Sequence, residues 1–182
     1  ENPSHFSGVS SRPVENVSWY QAKEYCQRLG KRLPTEWEWE NAASSKTGTK
    51  YYWGNEFDSD FAWFNGNSSS RTNPVGQKKP NPIGLHDMIG NVWEWTQDWF
   101  NVNYYGEMLE QGLVVNPQGA TKAYNPNNRY VQEKVIKGGS FLCSDTYCSS
   151  YRISARMATA LDSGQEHLGF RTVATPEMLK TK

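Results

Sequence analysis

Histidine, cysteine and net charge are all scarce in this sequence, and each scarcity excludes something. Lysine plus arginine and aspartate plus glutamate number 19 each, so no net field draws the chain to nucleic acid or to an anionic membrane. Three cysteines form at most one disulfide, which excludes a disulfide-stapled secreted miniprotein. The three histidines, His5, His86 and His167, are scattered along the chain and do not have the spacing of a zinc ligand set. No stretch of about 18 apolar residues exists to span a membrane, and the opening ENPSHF carries no signal-peptide pattern. A length of 182 residues is enough for one domain with a real core and hardly enough for two.

Aromatics are plentiful, with eight Trp and ten Tyr, while Gly, Asn, Ser and Pro are spread along most of the chain. This combination predicts an irregular, loop-rich fold whose core relies on large aromatic side chains. Two helices stand out. NVSWYQAKEYCQRLGKR has Ser18 as N-cap with Gln21 three residues on, as in a capping box. Ala22, Tyr25, Cys26 and Leu29 form its apolar stripe, and Gly30 is a stop signal. LPTEWEWENAASS is a second short helix, capped by Thr35, with Pro34 blocking extension backwards and acidic residues in its first turn. Trp37 and Trp39 cannot share a helix face, so at least one packs elsewhere or lines a pocket. From about residue 50 to 130 the periodicity fades into turn-rich connections, with NSSS expected at a loop tip. KVIKGGSFL and HLGFRTVA are the predicted strands.

Two stretches can carry chemistry. In GLHDMIGNVWEW, residues 84–95, Asp87 and Glu94 are hard oxygen donors, and Gly90 between them lets the backbone bend so that carbonyls can point inward with the carboxylates. Calcium takes this mixture of oxygens, but two carboxylates capping a turn would give the same pattern. In GGSFLCSDTYC, Cys143 and Cys148 would point to opposite faces of a regular strand. They converge only if the intervening SDTY turns, and those residues favour a turn. A convergent pair can be a disulfide, a redox pair or a two-thiolate site for Cu(I), which accepts low coordination and prefers sulfur. Two buried core residues remain an equal reading.

PVENVSWYQAKEYCQRLGKRLPTEWEWENAA, GLHDMIGNVWEWTQDW and KVIKGGSFLCSDTYCSSYRISARM followed by HLGFR resemble the formylglycine-generating enzymes, also called sulfatase-modifying factors, over residues 12–174. The C-x4-C pair after GGSFL, with Tyr147 before the second Cys and YR-x3-R after it, is similar to the catalytic branch of that superfamily. The resemblance implies an α+β, irregular, C-type-lectin-related fold with little regular secondary structure. It implies an O2-using oxidase that converts a cysteine in a C-x-P-x-R motif of an unfolded sulfatase to Cα-formylglycine, with a thiol reductant, acting as a monomer. Carried over, Cys143 and Cys148 are the Cu(I) thiolates, Ser140 and Tyr147 donate hydrogen bonds in the oxygen pocket, and Trp93 forms a wall of it. Arg152, Arg156 and His167 would serve the substrate peptide, with Arg171 a further arginine available to that groove. Asp87, Glu94 and the carbonyls of Gly90 and Val92 would hold a structural Ca2+.

Some positions depart from the family's pattern. Ser144 stands where a His is frequent, Ser150 where a basic residue is frequent, and His167 where an Asn is frequent. These read as branch differences. FAWFNGNSSS has no counterpart of a second calcium segment. The expected organisation is a single sulfatase-modifying-factor domain over residues 1–182, without the N-terminal strands that usually close the core and with a frayed tail from about 175. A second hypothesis is a non-catalytic, lectin-like module of the same superfamily that binds a peptide or glycan. A third, an iron-dependent sulfoxide synthase, needs a His-rich site that three scattered histidines do not supply.

Overall fold

Both predicted helices form in the computed structural model, which describes residues 2–144 and 149–180. Tyr147 and Cys148 lie outside the described residues. Helix α1, Trp19–Arg28, begins at Ser18, whose hydroxyl accepts from the Gln21 amide while the Gln21 side chain accepts from the Ser18 amide. This reciprocal cap satisfies two otherwise orphaned donors. Ala22 and Cys26 of the predicted stripe are buried, but Trp19 joins them in place of Tyr25 and Leu29, which are 53% and 44% exposed. The helix is turned so that Trp19, its largest apolar residue, goes inward, with the indole N–H donating to the Thr96 carbonyl at 2.8 Å. Helix α2, Glu36–Ser44, is capped in the same way by Thr35 and Glu38. Its two tryptophans divide as the spacing requires: Trp39 is 1% exposed and Trp37 46%.

A four-stranded sheet holds the centre. Its strands are β1 (Trp93–Trp99), β2 (Glu133–Lys137), β3 (Met157–Ala160) and β4 (Leu168–Gly169), in the order β3-β2-β1-β4. β1 runs antiparallel to β2 and parallel to β4, and β2 runs antiparallel to β3. The predicted strands supply β2 and β4; β1 and β3 arise where no strand was expected. Between β1 and β2 lies α3, Tyr104–Gln111, which buries none of its residues. In the tail, Pro176–Leu179 form α4, a single turn capped by Thr175. Ser68 of NSSS is no loose tip: it is buried, and its hydroxyl donates to the Phe141 carbonyl at 3.2 Å.

Alternation along β1 divides its side chains between two cores. Trp93 and Trp95 join the first, with Trp19, Ala22, Cys26 and Ile136. Glu94, between them, faces the second, where it accepts from the indole N–H of Trp39 at 2.7 Å. That second core is built from Trp39, Tyr51, Tyr52, Met88, Ile89 and Tyr151, with Trp53, Phe57, Phe61 and Phe64 packed on it. Cys143 packs against both cores.

Candidate functional site

The loop that carries Cys143 leaves β2 directly through Gly138 and Gly139. Gly139 has φ +76°, and a Cβ there would stand 2.7 Å from the ring of Tyr151. Only glycine both takes that turn and admits the ring. Tyr151 then clamps the loop, its hydroxyl lying 2.8 Å from the Ser140 carbonyl and 2.7 Å from the Cys143 carbonyl. A phenol has one proton, so the two carbonyls share it. The Cys143 carbonyl also accepts from the Asn65 amide at 3.0 Å, and the Phe141 amide donates to the Asn91 carbonyl at 2.8 Å. The chain around the cysteine is thus tied to two other segments.

Held this way, Cys143 is half-buried. The fully buried Ser140 places its hydroxyl oxygen 3.9 Å from the Cys143 sulfur, within hydrogen-bond reach of a thiol or thiolate. Trp93 is 3% exposed and belongs to the core that Cys143 touches. Within the set that the resemblance implies, Ser140 is thus beside Cys143, and Trp93 belongs to a core on which Cys143 packs. Tyr147 and Cys148, the other members of that set, lie outside the described residues.

The residues expected to serve a peptide are spread more widely. Arg152 is exposed beside Tyr151. Arg156 is committed elsewhere: its guanidinium pairs with Glu36 at 2.7 Å, donates to the Asn101 carbonyl at 3.1 Å and lies over the rings of Phe100 and Tyr105. None of these contacts involves the cysteine loop, so Arg156 is a structural ion pair here. His167 fixes β1 through its carbonyl, which accepts from the Trp93 amide at 2.8 Å. Its ring Nδ1 is buried with no partner among the described residues. Burial pushes the imidazole pKa down, partly offset by Glu166.

The GLHDMIGNVWEW loop forms a second polar centre. Asp87 and Gly90 adopt φ of +53° and +81°, and a Cβ on Gly90 would collide with the Trp63 carbonyl. Asp87, Val92, Glu94 and Arg171 line a cavity of about 370 Å3. Asp87 Oδ2 accepts from the Gly76 amide at 2.7 Å, while Oδ1 is buried with no partner among the described residues. Burial raises the Asp87 pKa against that hydrogen bond, and the Glu94 carboxylate adds to the rise. The orphaned oxygen suits a cation. Glu94 is not the open ligand that the motif suggested. Arg171 grips it with Nε to Oε2 at 2.5 Å and Nη2 to Oε1 at 2.6 Å, and Trp39 adds its indole N–H. Among the described residues, no three His, Cys, Asp or Glu side chains are grouped so as to hold a metal ion.

A third centre escaped sequence reasoning. Under the start of α2, Glu36 and Asp98 are both buried, with Lys137 and Arg156 as counter-ions to Glu36. Lys137 is fully buried and also pairs with Glu40. Asp98 Oδ2 accepts from the Glu36 amide at 2.7 Å and so caps the helix from across the core. Burial, reinforced by the Glu36 charge, holds the Asp98 pKa up at about 6 against its ordinary 3.8. No spacing in the sequence links residue 36 to residues 98, 137 and 156.

Long ordered loops around a small mixed sheet, two aromatic cores and a glycine-hinged cysteine loop define a C-type-lectin-like domain of the sulfatase-modifying class. The Treponema denticola variable protein 1 has the same fold, with a TM-score of 0.69 and 27% identity, covering 94% of this chain and 77% of that one. Residues 1–176 match the family described as sulfatase-modifying factor enzyme 1-like domain, and the chain belongs to that family. It is 38% identical over 182 residues to the formylglycine-generating enzyme of Streptomyces coelicolor, covering 92% of this chain and 54% of that protein. It is 46% identical over 146 residues to the serine/threonine-protein kinase Pkn1 of Chlamydia trachomatis, covering 78% of this chain and 22% of that protein. The chain spans about half the length of the curated formylglycine-generating enzymes it matches.

Proposed function

We propose that this chain is an oxidase that matures sulfatases, converting the cysteine of a C-x-P-x-R segment to formylglycine. The observation that carries the reading is the placement of Cys143. It is a half-buried sulfur at the meeting of two cores, on a loop pinned by Tyr151, with the Ser140 hydroxyl 3.9 Å away. The similarity to enzymes named for this activity supports it. The overall reaction balances as thiol plus O2 plus two reducing equivalents giving aldehyde, sulfide and water. O2 takes four electrons, two from the substrate carbon and two from a thiol reductant.

Cu(I) suits a pair of thiolates from Cys143 and Cys148, and when bound it would supply O2 activation. The protein's own part is to present a thiolate without large motion and to exclude bulk water through the Trp93 core. The Ser140 hydroxyl would stabilise negative charge as it develops beside the sulfur. Asp87, through its orphaned oxygen, would hold a calcium ion together with the carbonyls of Gly90 and Val92, while Glu94, the other carboxylate of the set, is gripped by Arg171. Arg152 and His167 would contact the substrate peptide.

A second reading, a non-catalytic binding module, is favoured by the higher identity to the kinase-linked domain and by Trp37, which stands exposed between clefts of about 420 and 300 Å3. Titration of the reduced protein with Cu(I) against a competing chelator separates the two. The oxidase reading predicts tight one-to-one binding that is lost in both Cys143→Ser and Cys148→Ser. Binding that is absent, or unaffected by both substitutions, leaves the module.

A further inference from the structure

The cavity beside Asp87 has two carboxylates and one guanidinium. Asp87 and Glu94 are 8% and 5% exposed, and Arg171 stands between them. A carboxylate offers about four lone-pair positions. Arg171 Nε and Nη2 and the Trp39 indole take three of those of Glu94. Arg171 Nη2 also leans toward the carbonyls of His86 and Asp87, at 3.3 and 3.4 Å. These carbonyl oxygens belong to the loop that would wrap a cation. Asn91, buried in the same lining, is oriented by one bond at each side-chain end to the backbone of Asn73. The oxygen left over is Asp87 Oδ1, buried and without a partner among the described residues.

We propose that Arg171 is a built-in competitor for calcium at this cavity. Its guanidinium occupies the second carboxylate and reduces a two-carboxylate site to a one-carboxylate site. The inference rests on the calcium reading given above and adds what sets the affinity. Calcium sites tune their dissociation constants by the charge and rigidity of their ligands, over a range whose weak end is about 10⁻⁴–10⁻³ M, and loss of one carboxylate moves a site toward that end. A cation entering beside Asp87 also meets the positive charge of Arg171, which the Glu94 pairing only partly neutralises. The same pairing keeps the loop in place when no metal is bound, because Glu94 is never left buried without a counter-ion.

The test uses calcium chloride alone, with calorimetry and thermal melting as readouts, on the whole chain. The parent protein is expected to bind at about 10⁻⁴–10⁻³ M, and Asp87→Asn to lose binding. Arg171→Met frees Glu94 Oε1 and leaves Oε2 with the Trp39 indole alone, so its calcium affinity should rise at least about tenfold. Its melting temperature should fall without calcium and recover with it by more than the parent gains. Arg171→Lys keeps the charge but cannot span both oxygens, so it should show a smaller gain in affinity. This second variant keeps the test open if Arg171→Met does not fold. The proposal is overturned if the parent and Asp87→Asn behave as expected but neither arginine variant binds more tightly. It is equally overturned by micromolar binding in the parent with Arg171 in place. No binding in any variant overturns the calcium reading itself, which is a distinguishable failure.

Discussion

Tyr151 decides where the cysteine is. Its ring fills the space that Gly139 leaves open, and its hydroxyl holds the carbonyls of Ser140 and Cys143. Each carbonyl keeps another partner when the phenol is lost: the Cys143 amide for Ser140 and the Asn65 amide for Cys143. Tyr151→Phe should therefore cost only about 1 kcal/mol in denaturant unfolding, the net worth of one hydrogen bond. Its effect on the loop should be larger than its effect on the fold. Cu(I) affinity is expected to fall in this variant while the unfolding midpoint shifts only by the few tenths of a molar urea that about 1 kcal/mol implies. A variant with unchanged copper affinity would show that the clamp does not position the sulfur. The sequence offered Tyr151 only as part of a YR motif, because its partners are backbone carbonyls and leave no side-chain signature. Trp37 and Trp39 were more legible. Their two-residue spacing on a helix forces them apart, and the structure buries one and exposes the other.

Elements were readable where caps mark them and unreadable where burial erases the pattern. Ser18 with Gln21, and Thr35 ahead of an acidic turn, announced α1 and α2. β1 is buried at its first four positions and at Asp98, so the alternation that identifies a half-exposed strand is missing. β2 is buried at all five positions, including Glu133, Lys134 and Lys137. Its lysines are accommodated by contacts from distant elements. Lys134 lies over the rings of Trp99 and Trp19, at 3.5 and 4.2 Å, and burial pushes its pKa down to about 8. The start of α2 makes a prediction of its own through Asp98. With a pKa near 6 instead of 3.8, the native state binds this proton more tightly than the unfolded chain. Stability is therefore lost as pH rises through this interval, and no more is lost above it. Asp98→Asn keeps an oxygen for the Glu36 amide and removes the titration. Thermal melts should show variant and parent nearly equal near pH 4 and the variant ahead at pH 7. A difference that is the same at both pH values would contradict the assignment.

At the scale of the molecule, the composition foretold the architecture better than the periodicity did. Abundant Trp and Tyr with scattered Gly, Asn and Pro implied ordered loops around aromatic cores, and the structure has two such cores with a small sheet between the helices. The site was legible only in part. Ser140, Cys143 and Trp93 lie close in sequence or carry family motifs, whereas the Arg171 grip on Glu94 joins residues 77 apart. Arg156 was drawn into the substrate groove by its place in a motif, and the fold gives it to Glu36 instead. The central claim is that this cysteine loop oxidises a peptidyl cysteine. The most direct measurement is mass spectrometry of a C-x-P-x-R peptide incubated with the reduced, copper-loaded protein under O2 and a thiol reductant. The account predicts loss of the peptide's sulfur and appearance of an aldehyde that hydrazide reagents capture, abolished in Cys143→Ser and under nitrogen. A peptide that stays unmodified while the folded protein holds copper would contradict it.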